Sequence, residues 1–274
     1  MSRRVSRILS GMVALGSLHP RPWRRAHLRL LVAAGLEQRH RVETRHGSLT
    51  FVASHVGALQ APREFFTAEP ETLAWIDGFD AGSVLWDIGA NVGAFSLYAG
   101  RRGDIDVLAF EPAPASYAAL CANIAENRLD RVGAYCVALA ERSHLGRIAL
   151  SRTYAGSVYN LFDQEVPVDL QGRRLPTERR QAALGIAADD LVAIFGAPPP
   201  NHIKLDVDGT ELAILRGAAR LLRAPELRSL SVENVVGESP RNDAIAALLG
   251  EAGFRPSARG RGGSDMTVNI IYRR

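Results

Sequence analysis

The chain places an aspartate inside an apolar run and follows it at once with a glycine turn, Trp86-Asp87-Ile88-Gly89-Ala90-Asn91-Val92-Gly93. Gly89 and Gly93 leave bare backbone that a ligand can approach, and the start of the following helix offers N–H groups with no intrahelical partner. The spacing is G-x-x-x-G, not the G-x-G-x-x-G of a dinucleotide pyrophosphate site. Asp87 would repel a phosphate; it suits a ligand with positive charge, an ammonium or a sulfonium. A second reading stays open, in which Asp87 only accepts backbone N–H groups of its own turn. Glu111 follows Gly93 by 18 residues, close to the offset of ~20 at which an acidic residue takes a ribose hydroxyl in nucleoside-binding sheets. One carboxylate can accept from both ribose hydroxyls. A nucleoside with a cationic tail is S-adenosylmethionine.

A second group of chemical residues lies in His202-Ile203-Lys204-Leu205-Asp206-Val207-Asp208-Gly209. In an extended chain Lys204, Asp206 and Asp208 share one face, with Ile203, Leu205 and Val207 on the other. Asp208 and Glu211 have the spacing of a capping box for the next helix; Asp206 has no such structural duty. Glu233-Asn234 closes the next apolar run. Carboxylates on neighbouring strand tips can orient an acceptor hydroxyl, accept its proton, or share a magnesium ion through oxygen ligands. Spacing does not choose among the three. Lys204 is the only lysine among 33 basic side chains. A lysine is slim and can shift its pKa when buried, whereas arginine is planar and always charged. The spacing predicts a cation beneath Asp206 that pairs with it, or one that handles the acceptor's proton. His202 starts the same run, far from its chemical end.

The elements that must hold these residues alternate. Apolar strands are expected at 84–90, 107–112, 132–140, 202–209, 227–234 and 266–273. Helices are expected at 92–101, 115–128, 187–196, 211–223 and 243–253. Residues 141–180 lack helical period and read as a hairpin with a loop insertion. Ahead of the first strand, 69–79 reads as a short helix with Pro70 in its first turn, 27–39 as a helix, and the stretch around His46-Gly47 as a hairpin. Alternating strands and helices imply a doubly wound, mostly parallel α/β sheet, with ligands at the carboxyl ends of its strands. The division expected is a basic N-terminal arm, helix and hairpin over 1–66, then a catalytic domain over 67–274.

Composition narrows the classes. With 274 residues and 47% hydrophobic side chains the chain can bury one sizeable core. No run approaches the roughly 20 apolar residues of a membrane span. Two cysteines, Cys121 and Cys136, fit neither a disulfide framework nor a zinc site, so a reducing, cytoplasmic compartment is expected; Cys136 is expected in the core. Residues 1–46 carry ten arginines against Glu37 and Glu43, while the remainder is net acidic. The first twenty residues have the outline of an export signal but a short, broken apolar part. They read instead as a surface-lying helix that can meet an anionic membrane. The acidic body argues against a large nucleic-acid footprint.

DIGANVGAFSL, AFEP and KLDVDGTELAILRGA, in that order and with EPETLAWIDGF ahead of them, resemble the FkbM-type S-adenosylmethionine-dependent methyltransferases from about Glu69 to Asn234. The resemblance implies a seven-stranded class I methyltransferase (Rossmann-like) sheet and O-methylation of a sugar, glycan, glycolipid or secondary-metabolite hydroxyl. It implies that Asp87, Gly89, Asn91 and Gly93 cradle the methionine and ribose end of the cofactor, that Glu111 holds the ribose, and that backbone near Ala138 meets the adenine. Where many members read DVEG this chain has Asp208-Gly209, and 141–180 matches only around AGSVYNLF. Lys204, Asp206 and Glu233 are the candidate catalytic residues. Two rival readings are an RNA methyltransferase that uses the arginine arm and a cofactor-binding scaffold without turnover.

Overall fold

The structure, a computed structural model, describes residues 11, 21–35, 37–53, 55–167, 169, 173–237 and 239–274. The reading of the first twenty residues therefore lies, Gly11 apart, outside the described residues. The chain forms two compact units, residues 1–39 and 40–274. Helix α1 (Pro22–Gly35) belongs to the first.

The remaining elements follow in chain order. A hairpin of β1 (Gln38–Thr44) and β2 (Gly47–Ala53) leads through α2 (Gln60–Arg63) to α3 (Pro70–Asp77). Then come β3 (Val84–Ile88), α4 (Ala94–Arg101), β4 (Asp106–Phe110), α5 (Pro114–Asn127) and β5 (Val132–Tyr135). An inserted region holds β6 (Ala138–Ala140), β7 (His144–Leu150), β8 (Leu161–Phe162) and β9 (Arg179–Ala187). The chain closes with α6 (Ala188–Ala193), β10 (His202–Leu205), α7 (Glu211–Arg216), β11 (Ser229–Val235), α8 (Pro240–Glu251), β12 (Arg255–Arg261) and β13 (Thr267–Arg273).

The main sheet has seven strands in the order β12-β13-β11-β10-β3-β4-β5. β5, β4, β3, β10 and β11 run parallel, and β13 lies antiparallel between β11 and β12. The order reverses between β3 and β10, so a crevice opens beyond their carboxyl ends. Both faces are covered, as a parallel sheet requires. Trp86, Leu108, Ile203 and Leu230 pack with the face that holds α7 and α8, while Leu85, Val107 and Ala109 pack with α3 and α4 on the other. Asp87 and Lys204 stand directly opposite each other in the β3–β10 register. The alternation of their strands turns them both to the α3–α4 face.

The hairpin shares the body's core: Val42, Leu49 and Phe51 pack with Leu73, Ile76 and Leu97. Two asparagines one turn apart on α5 hold its edge. Asn127 accepts from the Thr50 N–H (2.7 Å) and donates to the Thr50 carbonyl (2.7 Å), and Asn123 accepts from the Val52 N–H (2.7 Å). Asn123 also donates to the Val92 carbonyl at 2.8 Å, tying the hairpin to the glycine turn.

Several elements depart from the sequence reading. The strand expected over 132–140 is two pieces in two sheets, because the chain leaves the main sheet after Tyr135 and joins β9 at Ala138. Cys136 sits at that crossing and is exposed, not in the core. The strand expected to reach Gly209 ends at Leu205, and Asp208 turns with φ +58°. The helix expected over 211–223 breaks at Gly217, where any side chain would collide with the Ala140 carbonyl. β12 was not expected: its RPSARGR sequence has no alternating apolar pattern, and it sits exposed at the sheet edge.

Candidate active site

Other parts of the protein press closely on the glycine turn. A Cβ at Gly89 (φ +86°) would collide with the Asp206 carbonyl, and one at Gly93 (φ +94°) with the side chains of Leu97 and Leu120. The missing side chains let β10 and α5 close on the turn. Of the four turn residues expected around a ligand, Gly89 and Asn91 line a cavity at the switch point, whereas Asp87 and Gly93 lie beneath it. Asp87 is buried at the start of α4, where it accepts from the Ser96 hydroxyl (2.5 Å) and from the Ser96 backbone N–H. A carboxylate there complements the helix N-terminus. Burial raises its pKa, partly offset by Lys204 and Ser96.

The cavity measures about 410 Å³, within the range of small-molecule sites. One half is apolar with a few fixed polar groups. Glu111, expected on a ribose, lines it just after β4. Its two carboxylate oxygens accept from the backbone N–H groups of Asn91 (2.9 Å) and Ala113 (2.7 Å), and each keeps a further lone pair. Burial pushes its pKa up to about 7 despite these bonds. Asn91, held at φ +50°, donates to the Ser157 carbonyl at 3.4 Å and leaves its Oδ1 buried without a hydrogen-bond partner. Phe110, Val137, Ala138 and Leu139 complete this half. Ala138 comes within reach because the chain crosses there between sheets.

The other half gathers the strand tips. Lys204 is 2% exposed; its ammonium lies 2.6 Å from Asp206 Oδ2, 3.9 Å from Glu69 Oε2 and 4.7 Å from the centre of the Phe95 ring. Burial alone would lower its pKa, but Asp206, Glu69 and Asp87 outweigh burial and hold it above the ordinary lysine value. Lys204 is thus a fixed cation. Glu69, just before α3, was not singled out from the sequence. It is buried, accepts from Thr72 Oγ1 (2.9 Å) and Asn269 Nδ2 (2.6 Å), and is pushed up to about 7 by burial, with Lys204 opposing. Its one legible signal was a glutamate before Pro70 with Thr72 three residues on.

Asp208 does not cap α7. Glu211 does reach back, to the N–H groups of Val207 (3.3 Å) and Gly209 (3.1 Å), and pairs with Arg241 at 2.9 Å. Asp208 instead accepts from the Tyr159 N–H at 2.6 Å and so ties the inserted loop to the tip of β10. Burial, then the neighbouring Asp206, push it up to about 7. Glu233, on β11, lines the same half, and its Oε2 is buried without a partner. Burial, then Asp206, Asp208 and Glu211, push it up to about 10. Among the described residues no group of three or more His, Cys, Asp or Glu is placed to hold a metal ion. His202 is remote from the cavity: it bonds Ser229 Oγ (2.8 Å) and stacks on Phe79.

A seven-stranded sheet of this order, with a glycine turn after its first parallel strand and an acid ending the second, defines a class I methyltransferase. A Methyltransferase FkbM domain matches residues 87–256. The chain belongs to the FkbM methyltransferase family, a class of S-adenosylmethionine-dependent enzymes. It is 39% identical over 231 residues to the 31-O-demethyl-FK506 methyltransferase FkbM of Streptomyces tacrolimicus, covering 73% of this chain and 84% of that one. It is 29% identical over 170 residues to the hexuronic acid methyltransferase AglP of Haloferax volcanii, an alignment that spans 62% of each. The FkbM methyltransferase structure from Methylobacillus flagellatus superposes with a TM-score of 0.50 at 15% identity, over 80% of this chain and 55% of that one; that likeness concerns the fold. The residues present fit the family's cofactor. An unpartnered Asn91 oxygen, spare acceptor sites on Glu111 and an apolar slot beside Ala138 are what a ribose and a base need.

Proposed function

We propose that this chain O-methylates a hydroxyl of a sugar, glycan, glycolipid or secondary metabolite. The observation that carries the reading is the meeting, in one cavity, of a nucleoside-type half around Glu111 with a carboxylate-lined half around Lys204. Glu111 and Asn91 would hold the ribose end, and the backbone at Ala138 would face the adenine. S-adenosylmethionine, held there, would supply an electrophilic methyl group to the acceptor oxygen and would leave as the neutral thioether S-adenosylhomocysteine. The protein's part is alignment and proton handling. Asp206, fixed by Lys204, is an acceptor that orients the hydroxyl. Asp208 has a pKa near working pH, the condition for an effective general base, and takes the hydroxyl proton. Lys204, held charged, fixes Asp206 and takes no proton. The names of the relatives, a 31-O-demethyl-FK506 methyltransferase that specifies an oxygen and a hexuronic acid methyltransferase, support an oxygen acceptor.

Calorimetry tests the cofactor half. S-adenosylhomocysteine should bind and NAD should not. Glu111→Ala should weaken binding by about tenfold or more, through lost hydrogen bonds to a charged group. Tight NAD binding with none of S-adenosylhomocysteine would end the reading.

We propose further that the N-terminal helix meets an anionic membrane surface. In support, α1 exposes Trp23 (62%), Leu30 (69%) and Leu31 (56%) on a helix that also carries Arg24 and Arg25. No described helix is long and apolar enough to cross a membrane. Deleting residues 1–35 should abolish binding to acidic liposomes without changing cofactor affinity; unchanged liposome binding would reject the proposal.

A further inference from the structure

The carboxylate-lined half of the cavity has a charge balance that says what can enter it. Glu64, Glu69, Asp206, Asp208 and Glu233 line the cavity beyond Glu111, and among the described lining residues Lys204 is the only cation. Lys204 is not available to a ligand. It is buried in the wall, with Asp206 at 2.6 Å and Glu69 at 3.9 Å already claiming its charge. Arg241 does not line the cavity and is paired with Glu211 at 2.9 Å. With Glu233 protonated and Lys204 already paired, an acceptor carrying a carboxylate, phosphate or sulfate beside its reacting hydroxyl would still meet the carboxylates of Glu64, Glu69, Asp206 and Asp208 in a partly dehydrated space, with no free cation among the described lining residues.

Glu233 adds an independent observation. It is 5% exposed, lines this half, and its Oε2 has no hydrogen-bond partner. A buried polar atom left without a partner calls for one. Thr267 hydrogen-bonds the Glu233 side chain, and Tyr159 and Ser264 line the cavity with it, so further hydroxyl partners stand ready for an acceptor oxygen.

We propose that this half of the cavity takes a methyl acceptor with no anionic group near its reacting hydroxyl, and that Glu233 Oε2 binds an oxygen of that acceptor. The inference rests on the O-methyl transfer reading and narrows it. Burial and the carboxylates of Asp206, Asp208 and Glu211 keep Glu233 protonated at neutral pH, so it donates a hydrogen bond instead of presenting a charge. The acceptor class then differs from that of the Haloferax volcanii relative, whose name specifies a hexuronic acid.

The test is tritium-methyl transfer from labelled S-adenosylmethionine into a glycan, lipid and metabolite extract of the source cell. Labelled product is split in two. One part is treated with alkali, which releases methanol from methyl esters; the other is hydrolysed to monomers and run on an anion exchanger. Non-volatile label in monomers that the exchanger does not retain, neutral or amine-bearing, is the expected result. Label in retained uronic, phosphorylated or sulfated monomers, or released as methanol, overturns the inference and leaves methyl transfer standing. No label in any fraction from protein that binds S-adenosylhomocysteine removes the methyl-transfer reading and this inference with it. Glu233→Gln, which keeps a neutral donor, should slow incorporation by about threefold and Glu233→Ala by about tenfold or more, both with unchanged S-adenosylhomocysteine affinity and a folded melting profile. Collapse in Glu233→Gln equal to that in Glu233→Ala would show that Glu233 acts as a base and overturn its assignment as donor.

Discussion

Lys204 shows how far a single residue can be read. Its rarity in an arginine-rich chain marked it in the sequence, and the structure gives the reason: a slim cation fits among Asp206, Glu69 and the Phe95 ring with 2% exposure. Lys204→Met should lower stability by about 3–5 kcal/mol, because buried Glu69 and half-buried Asp206 lose their counter-ion. Lys204→Arg should also destabilise, because a planar guanidinium does not fit the same space. Melting curves on both variants check this, and wild-type stability in Lys204→Arg would refute the packing account. Glu111 carries a second prediction at this scale. Its pKa of about 7 means that binding which needs the carboxylate should weaken as pH falls below about 7, by up to tenfold per unit. Calorimetry of S-adenosylhomocysteine across that range measures it, and the slope should vanish in Glu111→Gln. Glu69 and Asp208 were not legible as site residues, because their role depends on burial against groups 135 or more positions away in one case and on a loop contact in the other. Neither leaves a local pattern. Asp208 was assigned a cap by its spacing to Glu211, yet its left-handed backbone turns it to Tyr159 instead.

At the scale of elements, apolar periodicity identified most of the parallel strands and their helices, since strands buried on both faces are apolar throughout. It failed where packing is not apolar. β12 is an exposed edge strand, and 132–140 is one apolar run that serves two sheets. The glycine turn was legible as a close approach, and Asp206, Leu97 and Leu120 are among the groups that approach it. Gly93→Ala should therefore lower the melting temperature even without cofactor, since φ +94° and the Leu97 and Leu120 side chains both oppose a Cβ. A loss confined to cofactor affinity would restore the ligand-approach reading. The asparagine pair on α5 makes a further prediction. Asn127→Ala leaves the Thr50 N–H and carbonyl without partners, which should cost about 1–3 kcal/mol. Amide exchange should quicken at Thr50 more than at Leu85 in the central sheet; equal change at both would contradict a local clamp.

Across the whole molecule, the buried carboxylates link stability to pH. Burial, chiefly, raises Glu69, Glu111 and Asp208 to about 7, and burial with like charges raises Glu233 to about 10. A raised folded-state pKa gives stability that is full below the unfolded value and lost as pH climbs through the folded one. His202 has the opposite sign. Burial pushes it down to about 3, so its contribution is full above the ordinary histidine value and is lost as pH falls toward 3. The melting temperature should thus be highest at about pH 4–5, fall most steeply from there to about pH 7, and fall more gently to about pH 10. Glu233→Gln should flatten the alkaline part of that decline; a flat profile in the wild type would mean that these groups are not buried as described. The same arrangement, a nucleoside-type half joined to a carboxylate half at the point where the sheet reverses, is the basis of the proposed reaction. Its most direct test is the fate of a carbon-13 methyl group from S-adenosylmethionine, followed by NMR in an extract of the source cell. The account predicts a new O-methyl signal on a sugar or metabolite, lost in Asp208→Asn while S-adenosylhomocysteine still binds. A methyl signal on nitrogen, on carbon or in RNA, or an O-methyl signal undiminished in Asp208→Asn, would contradict it.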